Sequence, residues 1–166
     1  MVAVGGIVVT DNQILTVRVS KKGGTGLMRI PGGVANSDET LEDAVTRHVF
    51  QETGIECKPE RIAGMRYAVR ECRCAEKDEM YLVFSCRYLS GTPEPAEKGI
   101  AEAVFMPIQE LLNRDDVVKL SAEMVRSWRE TDGLVLSQND TSTSRRWNIY
   151  ECYTLDNTRP PLSDEI

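Results

Sequence analysis

No stretch of this sequence approaches the ~18 consecutive apolar residues that a membrane-spanning helix needs, and no basic leader precedes the apolar start MVAVGGIVVT. The expectation is a cytoplasmic chain with no membrane partner. Paired cysteines are missing too. Cys57, Cys72, Cys74, Cys86 and Cys152 are odd in number and irregular in spacing, which predicts free thiols rather than a secreted disulfide framework. The C-x-x-C spacing of a structural zinc site is absent, since Cys72-x-Cys74 places two thiols on one face of a strand. Nor is there an excess of positive charge. Twenty Lys and Arg against 26 Asp and Glu leave a net charge of −6, which repels a polyanion. No basic stripe offsets it, so a nucleic acid polymer is not an expected partner.

What is present is ordinary globular composition, 41% hydrophobic and 28% charged over 166 residues. A chain of this length makes about one domain and buries roughly two-thirds of the surface exposed when unfolded. The densest basic group is Arg66, Arg70, Arg73 and Lys77. It reads either as a solvated strand and turn or as a clamp for phosphate, with Arg70 and Arg73 as candidate substrate-binding residues. An acidic protein that handles phosphorylated small molecules usually needs a metal ion to offset like-charge repulsion.

Local patterns divide the chain. Ala3 to Val9 and Ile14 to Val19 are β-branched runs separated by Thr10-Asp11-Asn12-Gln13, the pattern of an antiparallel hairpin. A glycine-rich stretch from Lys21 to Gly26 leads through Leu27 to Ile30 into Pro31-Gly32-Gly33. Leu41, Ala44, Val45 and Val49 then recur at helical spacing, with Asn36 and Glu39 in a capping-box arrangement and Gly54 as the stop. Further strands are expected at Arg61 to Val69, Met80 to Leu89 and Ala101 to Met106, the middle one central. A second helix is expected between Asp116 and Glu130. Leu134 to Leu136 and Trp147 to Leu155 read as strands, so residues 131–166 form a C-terminal extension of a single domain spanning 1–166. The apolar and aromatic Trp147, Ile149, Tyr150 and Tyr153 in it offer a surface for a homodimer.

The stretch GVANSDETLEDAVTRHVFQETGI, residues 33 to 55, resembles the Nudix box, G-x5-E-x7-R-E-U-x-E-E-x-G-U with U aliphatic. Gly33, Glu39, Arg47, Val49, Glu52, Gly54 and Ile55 match in register without a gap. The resemblance implies an α+β fold, an α/β/α sandwich with a mixed β-sheet between helices. It also implies a metal-dependent pyrophosphohydrolase acting on a nucleoside diphosphate linked to another moiety. In such a box the carboxylates gather magnesium or manganese beside a glycine-rich bend, where the ion bridges diphosphate oxygens and activates water.

Two positions depart from the pattern: His48 and Gln51 stand where the box has glutamates. If each lost carboxylate removes roughly 1–4 kcal/mol of screened attraction, free metal binds weakly and arrives with its substrate. By the resemblance, Glu52 and the Gly33 carbonyl are the expected metal ligands, and Glu52, Arg47 and Glu39 belong to the catalytic set; His48 joins that set as an imidazole able to take a proton from water. Each also has a plainer reading: His48 as a hydrogen-bonded boundary residue, and Glu39 with Arg47 as a charge ladder. A further acidic ligand before the strand at Ala101 would come from Glu94, Glu97 or Glu102, although Gly99 aligns best with that position. Two functions stay open: an impaired hydrolase, and a catalytically silent nucleotide-binding or sensor module. ADP-ribose, nucleoside triphosphates and dinucleoside polyphosphates are all candidate ligands.

Overall fold

The computed structural model describes residues 1–22, 24–70, 77–129, 134–136 and 147–155. Strands β1 (Val2–Thr10) and β2 (Gln13–Val19) form the expected hairpin. Asp11 and Asn12 turn it at φ 47° and 60°, the pair of positive φ values whose twist matches that of the flanking strands. Short strands β3 (Met28–Arg29) and β4 (Gly32–Val34) bracket Pro31; β3 pairs with β2 and β4 with β1. Helix α1 (Leu41–Thr53) follows. Then come β5 (Glu56–Arg70), β6 (Lys77–Ser90), β7 (Ile100–Pro107), α2 (Ile108–Leu112), α3 (Lys119–Trp128), β8 (Leu134–Leu136) and β9 (Trp147–Leu155).

The strands make one mixed sheet in the order β3-β2-β1-β6-β5-β9-β8, with β4 also on β1 and β7 on β2. Strand β6 is central, as its apolar run predicts. It lies parallel to β1, from Val2 opposite Met80 to Val9 opposite Arg87, and antiparallel to β5. Alternation along the strands separates two cores. Val4, Val8, Leu15, Leu82 and Phe84 face α1 through Ala44, Val45 and Val49. Ile7, Ile14 and Val83 face the opposite layer through Ile108, Leu111, Met124 and Val125. A mixed sheet between helical layers is the expected α+β sandwich. Among the described residues no helix is long and apolar enough to cross a membrane.

Several boundaries differ for physical reasons. The N-cap of α1 is Thr40, whose hydroxyl accepts from the Asp43 N–H at 3.1 Å, rather than Asn36. Asn36 instead donates its backbone N–H to Glu39 at 2.7 Å, so the reach-back half of the anticipated box forms outside the helix. Gly54 stops α1 at φ 70°, as expected. Strand β5 begins at Glu56, not Arg61, because register shifts on both sides of Pro59 let the ladder pass a residue that cannot donate. Helix α3 starts at Lys119 rather than Asp116. The Met28 N–H donates to Asp116 O and the Met28 carbonyl accepts from the Val118 N–H, both at 2.8 Å, which holds 116–118 extended against β3. Strand β9 pairs with β5 and with β8, so the C-terminal hairpin extends the same sheet.

In the apolar seam between α1 and β1, a Cβ added to Gly6 would lie 2.8 Å from Val49 Cγ2 and 3.2 Å from Val45 Cγ2. Gly6→Ala should therefore lower unfolding stability by about 1–3 kcal/mol through overpacking. Adding Val49→Ala should recover part of that loss, a coupling that urea unfolding followed by circular dichroism will show.

Candidate functional site

The site is organised by the chain reversal between β3 and β4. Gly32 passes so close to β1 that a Cβ there would collide with the Val4 carbonyl oxygen and lie 2.7 Å from Gly5 Cα. This presses the Gly32 N–H toward the last turn of α1, where Glu52 accepts it on Oε2 at 3.0 Å. Arg29 completes the arrangement. Its Nη2 donates to Glu52 Oε1 at 2.5 Å and its Nη1 to Oε2 at 3.1 Å, a two-pronged ion pair in which the Glu52 side chain is only 5% exposed. Arg29 Nη1 also reaches the carbonyls of Ile30 at 3.0 Å and Gly32 at 3.2 Å. One guanidinium thus fastens the glycine bend to the helix.

A second pair lies one side of the bend away. Arg47 donates to both oxygens of Glu39, through Nε at 2.9 Å and Nη2 at 2.5 Å. It also holds the Gln51 side-chain oxygen at 3.1 Å and the Val34 carbonyl at 3.4 Å. Hydrogen bonds from Arg47 first, then from the Asn36 N–H, bring the Glu39 carboxyl down to about 2. His48 donates from Nε2 to the Val34 carbonyl at 2.9 Å, and its ring fills the space where a Cβ on Gly33 would sit. In a neutral ring that bond leaves Nδ1 as the acceptor.

Beyond the Arg29–Glu52 pair opens a cleft of about 300 Å³, lined among others by Arg29, Gly33, Arg66, Glu79, Tyr81 and Ser121. Arg66 is ion-paired to Glu79 and stands over the Tyr81 ring at 5.8 Å. Burial, above all, pushes the Tyr81 hydroxyl up to about 12, so it stays protonated at neutral pH. The cleft is therefore lined beside the glycine bend by two arginines, Arg29 paired to Glu52 and the largely buried Arg66 paired to Glu79.

The sequence-predicted residues are partly brought together. Gly33, Glu39, Arg47, His48 and Glu52 all surround the bend and α1, as anticipated. Of the two expected metal ligands, Gly33 lies at the bend, and Glu52 has both oxygens engaged by Arg29 and the Gly32 N–H. Gln51 faces Arg47 as a neutral acceptor. Among the described residues no three His, Cys, Asp or Glu side chains come close enough to hold a metal ion. One carboxylate enclosed by protein donors is not a donor set for a resident divalent cation, which needs oxygen ligands free on their metal-facing side.

Of the other acidic candidates, Glu102 is ion-paired to Arg18 at 3.1 Å. Glu94 and Glu97 line a second hollow, with Gln51 and Phe50. Arg70 closes β5, while Arg73 lies outside the described residues. Residue Arg29 is the one that sequence reading overlooked. The signal was its place between Met28 and Ile30, both buried, in a two-residue strand just before Pro31-Gly32-Gly33. Alternation there turns the charged side chain away from the core and toward the bend.

A family model described as NUDIX domain matches residues 1–128. "Nudix hydrolase 2" of Arabidopsis thaliana is 28% identical over 116 residues, covering 68% of this chain and 41% of that protein. An "ADP-ribose pyrophosphatase" of Methanocaldococcus jannaschii is 38% identical over 64 residues, covering 39% of this chain and 38% of its own length. The chain thus spans less than half the length of either relative. Among solved structures, the MutT protein of Methanosarcina mazei Go1 superposes with a TM-score of 0.64 at 24% identity, covering 78% of this chain and 92% of that one. At that identity the likeness is one of fold.

The lowered Glu39 carboxyl sets a pH dependence. Its stabilising contribution is fully present above the unfolded value near 4.5 and is lost as pH falls through about 2. Glu39→Gln should flatten the fall in melting temperature between those values, which thermal melts of both proteins across that range will reveal.

Proposed function

Since the chain belongs to the NUDIX family, we propose that it binds a nucleoside diphosphate linked to another moiety and cleaves the pyrophosphate bond only slowly. The carrying observation is the cleft in which Arg29 and Arg66 lie beside the Gly32-Gly33 bend. Each tetrahedral phosphorus of a diphosphate ester carries two non-bridging oxygens, and a guanidinium fork recognises such a pair with paired donors. The pairing of both arginines to carboxylates keeps the cleft near neutral, so a multiply charged ligand meets no wall of acid there. The archaeal relative's name specifies ADP-ribose, which makes that compound the first ligand to try.

Slow cleavage follows from how the box side chains are engaged. Glu39 is held by Arg47, Gln51 carries no charge, and Glu52 is closed onto Arg29. The base left to accept a proton from water is His48, through Nδ1, with Nε2 fixed on the Val34 carbonyl. Arg47 and Glu39 act as positioning residues that hold the bend and helix in register. Magnesium and manganese have no part in this reading as resident ions. The silent-binder alternative is favoured by the same closed Glu52 pair, and the two readings differ in the rate alone.

A screen of ADP-ribose and other diphosphate-linked nucleotides, with binding by calorimetry and cleavage by release of the nucleoside monophosphate, tests the proposal. Binding should be readily measured, with turnover far below the ~10 s⁻¹ typical of enzymes. His48→Glu/Gln51→Glu, assayed with added magnesium, should raise turnover by about tenfold or more by restoring carboxylates to the box. Ordinary turnover by the native chain would refute the slow reading, and absence of binding by both proteins would refute the proposal as a whole.

A further inference from the structure

We infer that this chain holds its diphosphate ligand without any divalent cation, the Arg29 guanidinium serving as the fixed positive charge beside the glycine bend. The inference rests on the proposed binding of a diphosphate-linked nucleotide and adds how the charge of that ligand is met.

Three observations converge. The carboxylate count of the box has fallen, with His48 and Gln51 at two of its acidic positions. The remaining acid at the C-terminal end of α1, Glu52, has each oxygen within hydrogen-bond distance of Arg29 and accepts the Gly32 N–H as well. Admitting an ion there would require displacing Arg29 from a nearly buried carboxylate and rehousing its guanidinium, which breaks the closed pair that already satisfies both oxygens. Finally, Arg29 is not sealed away: its side chain is 25% exposed and lines the cleft. A guanidinium has donors enough to keep one edge on Glu52 and offer another to a phosphate oxygen.

Charge balance points the same way. A cluster of several carboxylates repels a diphosphate until a cation intervenes, whereas a site of arginine–carboxylate pairs starts near zero. Arg66 lines the same cleft with its side chain 6% exposed and adds fixed positive charge to it, steadied by Glu79 and by the Tyr81 ring. The ligand class is therefore a diphosphate ester bound as the free anion, not as its metal complex.

The test is calorimetric binding of ADP-ribose to the full chain in excess EDTA and again in magnesium. The dissociation constants should agree within about threefold. Arg29→Lys, which keeps the charge but loses the fork, should weaken binding by about tenfold in both media. Glu52→Gln should tighten binding in EDTA by about threefold or more, because Arg29 is then no longer neutralised. Circular dichroism melts of both variants confirm that the comparison is between folded proteins. As a direct check, manganese titrated alone and followed by electron paramagnetic resonance should give the same weak signal change with the native chain and with Glu52→Gln. Binding that needs magnesium, or that is lost in Glu52→Gln, would overturn the inference while leaving the proposed ligand class standing. Absence of binding in either medium would instead remove the proposed function, and this inference with it.

Discussion

The Arg29–Glu52 ion pair is the constraint on which the rest of the site depends. Glu52 sits in the last turn of α1 with its side chain almost wholly enclosed, and an ionised carboxylate there would be strongly disfavoured without a partner. Arg29 comes from β3, on the other side of Pro31, so the pair joins the helix to the chain that precedes the bend. Breaking such a pair by removing one member typically costs about 3–5 kcal/mol, because the survivor stays buried and unmatched. The bond from Gly32 N–H to the same carboxylate makes the geometry of the bend part of the bargain. The position of Gly33 against His48, and of Val34 against Arg47, then follows from where the helix is held.

This pair also ties the two faces of the sheet together. Helix α1 packs on one face and α3 on the other. The β3 segment touches both: Met28 exchanges backbone bonds with Asp116 and Val118 ahead of α3, and the Ile30 N–H points to Ser121 Oγ at 3.4 Å. The next residues run into β4 on β1. The cleft consequently has one wall from the box region, through Arg29 and Gly33, and another from the α3 region, through Val118, Leu120 and Ser121. A shift of either layer would change its width.

Much of this was legible beforehand. The hairpin of β1 and β2, the helix from Leu41 to Gly54, the central place of β6 and the C-terminal hairpin all follow from apolar period and turn chemistry, which are local signals. The elements that escaped notice are those decided by distant partners. Residues 116–118 have helical spacing but are held extended by β3, and β4 is a strand only because β1 lies beside Gly32 and Gly33. The same division applies to the site. Spacing placed Glu39 with Arg47 and Glu52 near the bend, but no pattern of spacing announces that Arg29 will neutralise a residue so far along the chain. Arg66 was visible as part of a basic group, while its partner Glu79 belongs to a neighbouring strand that only the register of β5 and β6 brings close.

The parallel pairing of β1 with β6 has a consequence for how the protein is made. Val2 lies opposite Met80 and Val9 opposite Arg87, so strand β1 cannot complete its central ladder until about 80 further residues have been synthesised. At ribosomal rates that leaves the leading hairpin waiting on the order of ten seconds, with the β1 edge open and its apolar residues uncovered. Contacts this far apart along a chain also form slowly after release, since a long loop must close first. A nascent chain of this kind is therefore most exposed to edge-to-edge association before β6 emerges, and that interval, rather than the finished fold, is where a chaperone would have most to do.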